Sequence, residues 1–180
     1  MMKKHEVRPR IDIKPELPKK KKLADQFKSV LQNGAIYDEV IWIVDFDTIL
    51  KEHSEAIKGS QSPLELFATY MKKVKKHKNI TILVNTPCLE YWVLLHYADS
   101  DRYFSKCEHA EVQLKRNHLP NYEKSEKYFK KRDDDIYLKL KPYQVTAKLN
   151  AKRLGDFDLS QPKTAKSEIY KVLELFGISS

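Results

Sequence analysis

Two runs of apolar, mostly β-branched residues dominate the first half of the chain. They cover residues 40–44 and 80–84, and each is nearly continuous, as in a strand covered on both faces. Between them, Ser62-Pro63-Leu64-Glu65 has the form of a capping box with proline at the first helical position. The apolar residues of this segment repeat at helical spacing: Leu64, Phe67, Ala68, Met71 and Val74. Strand, helix and strand in this order predict a βαβ unit with two parallel strands.

Further helices are predicted on both sides of this unit. One helix opens at Pro18, carries an apolar stripe and closes at Asn33-Gly34. Another starts at Thr86-Pro87 and covers residues 88–97, where apolar side chains on nearly all sides predict burial. Beyond Asp99, helical patterns cover residues 106–116, 143–154 and 164–176.

Three segments have weaker patterns. Residues 6–13 predict an edge strand or an extended arm, residues 48–61 a loop with room for a helical turn, and residues 124–141 a helix, a long loop or both. The predicted fold is α/β, with a mostly parallel sheet flanked by helices. Its expected parts are an N-terminal arm or edge strand (1–17), an α/β core (18–105) and a mainly helical C-terminal part (106–180) that packs on the core.

The positive net charge of the chain indicates a possible binding partner. The 180 residues include 34 Lys and Arg against 25 Asp and Glu, a net charge of +9, and the lysines recur in clusters. Such a balance favours nucleic acid, DNA or RNA, because each neutralised phosphate releases counterions. A lysine-rich solvated surface is the simpler alternative.

No apolar run approaches the roughly 20 residues of a membrane span, and no apolar segment follows the N-terminal charges as in a secretory signal. Two cysteines, Cys88 and Cys107, are too few for a disulfide scaffold and fit a reducing cytoplasm better. The expected location is therefore cytoplasmic, without a membrane partner.

Three carboxylates lie just beyond the two predicted strands. Asp45 and Asp47 follow the first strand and would point to one side if the backbone stayed extended, whereas Glu90 lies in the first turn after the second strand. Parallel strands place ligands outside their carboxyl ends. Crowded carboxylates repel one another unless a cation intervenes, and Mg²⁺ prefers such oxygen ligands. Each residue taken singly also fits a structural role, as a cap or as a partner of the helix dipole.

The neighbouring polar residues leave alternatives open. Asn85 either orients a ligand or caps the turn, and His96 fits a buried, hydrogen-bonded histidine better than a catalyst. Cys107, His109 and His118 suggest zinc only loosely, because their spacing matches no common site.

The same residues resemble the RloB-like family, bacterial proteins linked to restriction and AbiL-type abortive infection loci. The resemblance rests on Tyr37-Asp38-Glu39-Val40 leading into Val44-Asp45-Phe46-Asp47, and on the stretch from Asn85-Thr86-Pro87-Cys88-Leu89-Glu90 to His96-Tyr97. That stretch is similar to the family signature Ser-Asn-Pro-Cys-Phe-Glu-Leu-Trp-Leu-Leu-Leu-His-Phe. Tyr122 and Lys124 resemble its later Tyr-x-Lys.

The resemblance implies a Toprim-like α/β fold and Mg²⁺-dependent (or Mn²⁺-dependent) cutting or joining of nucleic-acid phosphodiesters. Carried over, Asp45 and Asp47 become metal ligands and Glu90 a ligand or catalytic base, with Asn85, His96 and Lys124 as supporting residues. RloB-like proteins usually begin with a strand that ends in Glu-Gly-x-x-Thr-Glu, which this sequence lacks. We therefore expect an incomplete site and an unpaired strand position that disfavours a stable monomer, so that a homo-oligomer becomes an option. The usual Asp-Arg-Asp is Asp45-Phe46-Asp47, and the usual Ser-Asn-Pro is Asn85-Thr86-Pro87.

Three functions compete. The first is a metal-dependent nuclease of antiviral defence, or its catalytically incomplete remnant. The second is a non-catalytic module that binds nucleic acid or a partner protein such as an ATPase. The third is a haloacid-dehalogenase-like phosphatase with Asp45 as nucleophile, which needs a distal acidic pair that Asp133-Asp134-Asp135 supplies poorly.

Overall fold

A small mixed sheet organises the fold of this α/β protein. The computed structural model describes residues 22–57, 59 and 61–177. Strands β1 (Val40–Asp45) and β2 (Ile80–Thr86) pair in parallel, from Val40 opposite Ile80 to Asp45 opposite Asn85. Strand β3 (Lys166–Ser167) pairs antiparallel with the end of β2, which gives the order β1-β2-β3. Both predicted strands and their parallel pairing are confirmed.

Three helices pack on the first half of the sheet: α1 (Leu23–Gly34), α2 (Phe46–Ser54) and α3 (Pro63–Val74). Aromatic side chains fill the core between them, with the rings of Phe27 and Tyr70 stacked at 3.9 Å beside Trp42. Helix α3 starts at Pro63 as predicted, but Ser62 makes no side-chain cap hydrogen bond. Its hydroxyl lies 3.1 Å from Nδ1 of His53 instead. Helix α1 confirms the prediction from Leu23 onward, whereas its expected start at Pro18 and the arm over residues 6–13 lie outside the described residues.

Helix α2 corrects the prediction of a loop over residues 48–61. The helix begins at Phe46, directly after β1, because Phe46 and Ile49 lie one turn apart and bury the same face. The two aspartates on either side of Phe46 therefore do not lie together on one extended segment. Asp45 ends the strand, and Asp47 lies in the first turn of the helix.

The second half of the chain is mainly helical. Helix α4 (Leu89–Leu95) is buried on nearly all sides, as predicted, and contacts α5 (Cys107–Asn117), α8 (Gln144–Leu154) and β3. A short 3-10 turn, Lys141–Tyr143, precedes α8. Residues 124–141 contain two short helices, α6 (Glu126–Phe129) and α7 (Ile136–Leu140).

The prediction of helical structure over residues 164–176 is confirmed only for the second half of this segment. That segment contains β3 followed by α9 (Tyr170–Leu175), so the C-terminal part contributes a strand to the sheet in addition to packing on it. Polar side chains explain the difference. Ser167 donates a hydrogen bond to Oδ1 of Asn85 at 2.7 Å, and Oε2 of Glu168 accepts one from the Val84 amide at 2.9 Å. Among the described residues, no helix has both the length and the apolar character that a membrane crossing requires.

Candidate metal centre

Asp45 lies at the carboxyl end of β1, beside the matching residue of β2. Asn85 is opposite Asp45 in the sheet and donates from Nδ2 to the Asp45 carboxylate at 3.4 Å. The Asn85 side chain is fully buried and is itself oriented by the Ser167 hydroxyl. Asn85 thus holds Asp45 in place, and β3, which the sequence did not predict, fixes the direction of the amide.

The surroundings of Asp45 disfavour a negative charge. Burial is the main cause that raises its pKa to about 6, and repulsion by the carboxylates of Asp47 and Glu90 adds to it. The hydrogen bond from Asn85 and the attraction of Lys124 oppose this shift without cancelling it. Asp47 and Glu90 therefore both act electrostatically on Asp45, although the three carboxylates come from separate elements.

Asp47 joins three segments around the centre. Its backbone amide donates to the Pro87 carbonyl at 3.1 Å, which ties α2 to the loop between β2 and α4. Burial raises the pKa of Asp47, while hydrogen bonds from the backbone amides of Cys107 and Thr48 oppose the shift. The carboxylate therefore lies at the N-terminus of α5, where amide groups favour an anion.

Glu90 is almost fully buried, with 4% of its surface exposed. Its Oε1 accepts hydrogen bonds from the Tyr122 hydroxyl at 2.8 Å and from Nζ of Lys124 at 2.9 Å. Burial disfavours the charged form of Lys124, but the hydrogen bond and attraction to Glu90 outweigh it and raise the pKa of Lys124. The structure thus brings Tyr122 and Lys124 to Glu90 from more than 30 residues away in the sequence.

The two cysteines also lie at this centre. Cys88 and Cys107 form a disulfide. This bond was not predicted, because the sequence suggested a reducing cytoplasm. Their sulfur atoms lie 3.0 and 2.7 Å from Oε2 of Glu90. Asp47, Cys88 and Cys107 each offer one ligand atom, and these three atoms lie within 4.8 Å of one another. The motif Pro87-Cys88-Leu89-Glu90 was the sequence signal for Cys88, whereas its pairing with Cys107 is a tertiary feature.

His96 and His118 make structural contacts away from the three carboxylates. His96 is 3% exposed at the end of α4, and its Nδ1 lies 3.0 Å from the Trp92 carbonyl. Burial lowers the pKa of His96 to about 4, so the ring is neutral at physiological pH. This agrees with a buried, hydrogen-bonded histidine. His118 stacks on Tyr97 with ring centroids 5.2 Å apart.

In the acidic run at 133–135, the aspartates at 134 and 135 make local contacts that stabilise the turn before α7 and the start of that helix. Asp134 forms ion pairs with Lys131 and Lys139, and Asp135 caps α7 by accepting a hydrogen bond from the Leu138 amide. These contacts agree with the interpretation of the run as a turn.

An open groove of about 520 Å³ follows one side of α5, the helix that begins at Cys107. We call it the α5 groove. Arg102 stacks over the ring of Phe104 at 5.1 Å along its wall. The lining residues are Arg102, Phe104, His109, Val112, Gln113, Arg116 and Asn117. Phe104 is buried, so the groove offers its two arginines to phosphates rather than an aromatic face to a base.

The chain belongs to the RloB-like protein family, whose model matches residues 3–176. The resemblance inferred from the two central motifs is therefore confirmed and extends over nearly the whole chain. No curated protein and no solved structure matches it.

Proposed function

We propose that this RloB-like chain is a Toprim-like phage-defence protein that uses Mg²⁺ or Mn²⁺ to cleave nucleic-acid phosphodiesters. The observation that carries the proposal is that Asp45 ends β1 beside Asp47 in the first turn of α2, where burial raises the pKa of both and repulsion by Asp47 raises that of Asp45 further. A divalent cation would relieve these effects more fully than the Lys124 ammonium does.

The donor set fits a hard divalent ion. Asp45 and Asp47 would hold the ion through carboxylate oxygens, which Mg²⁺ prefers. Such an ion, when bound, polarises a phosphoryl oxygen and lowers the pKa of bound water. The protein's own part is to fix the two carboxylates, through Asn85 for Asp45 and through the Cys107 amide for Asp47.

Glu90 and Lys124 have a joint role in this proposal. Glu90 is too buried to meet a substrate directly, whereas 47% of the Lys124 side chain is exposed. Glu90 therefore positions the Lys124 ammonium at the edge of the centre, where it can contact a substrate phosphate. If Lys124 turns toward that phosphate, Oε1 of Glu90 becomes available as a further metal ligand.

The test is cleavage of plasmid DNA and of single-stranded RNA with Mg²⁺ or Mn²⁺. Asp45→Ala is expected to reduce the cleavage rate at least about 100-fold, the scale of losing one electrostatic stabiliser of the transition state. The exposed Glu55→Ala, beyond the end of α2, should cleave at the wild-type rate. Absence of metal-dependent cleavage by the wild-type chain, also when extended upstream by a strand that ends in Glu, counts against a nuclease.

The second candidate is a binding module without catalysis, which the α5 groove favours. Arg102 and Arg116 line the groove, and binding through them needs no metal. In that case the protein binds DNA or RNA in EDTA and Asp45→Ala leaves the affinity unchanged. A protein partner such as an ATPase would not require the groove's positive charge.

Arg116→Ala is expected to weaken binding to a single-stranded oligonucleotide under either candidate. If Arg116 contacts one phosphate, the slope of log affinity against log salt falls by roughly 0.7 for a single strand. Fluorescence anisotropy at several salt concentrations measures this slope. Lys130→Ala is the matched control, because this exposed lysine pairs with Glu126 away from the groove. Equal slopes for wild type and Arg116→Ala would exclude the groove as the binding surface.

A further inference from the structure

The environment of Oε2 of Glu90 does not suit a disulfide. This buried oxygen has the sulfur atoms of Cys88 and Cys107 as close neighbours, at 3.0 and 2.7 Å. A disulfide has no proton to donate, so the oxygen would face two electron-rich atoms without a hydrogen bond from them. A thiol can donate a hydrogen bond at such a distance, and a cation can replace its proton. The contacts of Glu90 thus fit the reduced pair better than the oxidised pair.

The surrounding residues complete a ligand set of a distinct kind. Asp47 of α2 offers an oxygen within 4.8 Å of both sulfurs, and Oε2 of Glu90 in α4 lies 3.0 and 2.7 Å from them. Two thiolates with carboxylate oxygens suit zinc, which takes four ligands of sulfur, nitrogen or oxygen, and they do not suit Mg²⁺. Cys88 and Cys107 are buried, which protects a site of this kind from competing water.

We propose that Cys88, Cys107, Asp47 and Glu90 form a zinc-type metal site in the reduced protein, and that disulfide formation abolishes it. The ligands come from α2, α4, α5 and the residue preceding α4, so the ion would join the two halves of the fold at the candidate metal centre.

The two states are linked by a balanced exchange. A dithiol reductant gives two electrons and two protons to the Cys88–Cys107 bond, which breaks into two thiols as the reductant becomes a disulfide. A divalent zinc ion then binds both sulfurs and displaces their two protons into water. Reoxidation by a disulfide oxidant reforms the Cys88–Cys107 bond, releases the ion and reduces the oxidant to a dithiol, which takes its two protons from water.

This inference goes beyond the proposed nuclease and does not depend on it. The two sites share Asp47 and, when Lys124 turns away, Glu90, but the magnesium site rests on Asp45 and oxygen donors, whereas this site rests on the sulfurs. A readout that responds only to sulfur ligands therefore separates the failure of one proposal from the failure of the other.

Cobalt(II) is the probe, since it replaces zinc and gives a near-ultraviolet charge-transfer band only when thiolates coordinate it. The full chain is reduced with a phosphine reductant, freed from it without oxygen and titrated with Co²⁺. The band is expected to saturate at one ion per chain and to disappear when one equivalent of Zn²⁺ is added. Cys88→Ser, which keeps only the Cys107 thiolate, should lose at least about half of the band, and Asp47→Asn should weaken Co²⁺ binding by at least about tenfold, a loss that even outer-shell substitutions cause.

Two controls make the result decisive. His77→Ala removes an exposed histidine after α3 and should leave the band unchanged. The disulfide form of the wild-type chain keeps the fold and should show no band, so it replaces Cys88→Ser if circular dichroism finds that variant unfolded. A reduced chain without a thiolate band, a band of undiminished intensity in folded Cys88→Ser, or any such band in the disulfide form overturns the proposal.

Discussion

Replacing Asp45 with asparagine is expected to raise the melting temperature of the chain at pH 7.5 in EDTA. The cause is the pKa of Asp45, which burial and repulsion by Asp47 raise to about 6 from an ordinary value of 3.8. This pKa difference corresponds to about 3 kcal/mol, which is the most that the substitution can add to the free energy of unfolding. Since 1 kcal/mol shifts the melting temperature of a domain of this size by about 2–4 °C, a rise of roughly 4–10 °C is expected.

The pH dependence identifies the cause. A carboxyl group with a raised folded-state pKa favours folding below its unfolded pKa and loses this contribution as pH rises through its folded pKa. Wild type therefore loses the contribution of Asp45 between about pH 4 and pH 6, and Asp45→Asn does not. The two melting temperatures should converge near pH 4. A variant that is equally or less stable than wild type at pH 7.5 would mean that the Asp45 charge is already compensated by the protein itself.

Replacing Lys124 with methionine is expected to be the most destabilising of the site substitutions. It keeps the aliphatic stem but removes the ammonium group that pairs with the buried Glu90 at 2.9 Å. Removing one partner of a buried ion pair costs about 3–5 kcal/mol. Because half of the Lys124 side chain is exposed, water replaces part of the interaction and the loss should be about 2–3 kcal/mol. Urea denaturation measures this difference in the free energy of unfolding.

A double variant tests whether the unpaired charge is responsible. Glu90→Gln combined with Lys124→Met removes both charges and keeps an acceptor for the Tyr122 hydroxyl, so it should recover more than half of the loss. Lys130→Met, whose partner Glu126 is exposed, should leave stability unchanged. No recovery in the double variant would attribute the loss to packing of the lysine stem.

The strands and most helices were predictable because their signals are local. The apolar runs at residues 40–44 and 80–84 and the stripe of α3 depend only on neighbouring residues. Helix α2 was missed because a strand and a helix meet at Asp45 and Phe46 without a turn signal between them. Strand β3 was missed because its two residues, Lys166 and Ser167, are polar and pair through tertiary contacts with β2.

The candidate site was predictable to the same extent. Asp45, Asp47 and Glu90 stand next to strand ends in the sequence, and the parallel pairing brings those two strand ends side by side. The residues that contact these carboxylates and affect their protonation could not be predicted from strand ends, because they are distant in the sequence. The contact of Glu90 with Tyr122 spans 32 residues, and the Cys88–Cys107 bond spans 19 residues in the sequence. Only the family resemblance drew attention to Tyr122 and Lys124.

Thermal unfolding in Mg²⁺ tests the central claim most directly, namely that Asp45 and Asp47 hold a divalent cation. The melting temperatures of wild type and Asp45→Asn are measured at pH 7.5 in EDTA and in increasing Mg²⁺ at constant ionic strength. A bound ion stabilises the fold by about 2.7 kcal/mol when its concentration is 100 times its dissociation constant. The expected result is a saturating rise for wild type and little response for Asp45→Asn. The same response in both proteins, or none in wild type, would contradict the account.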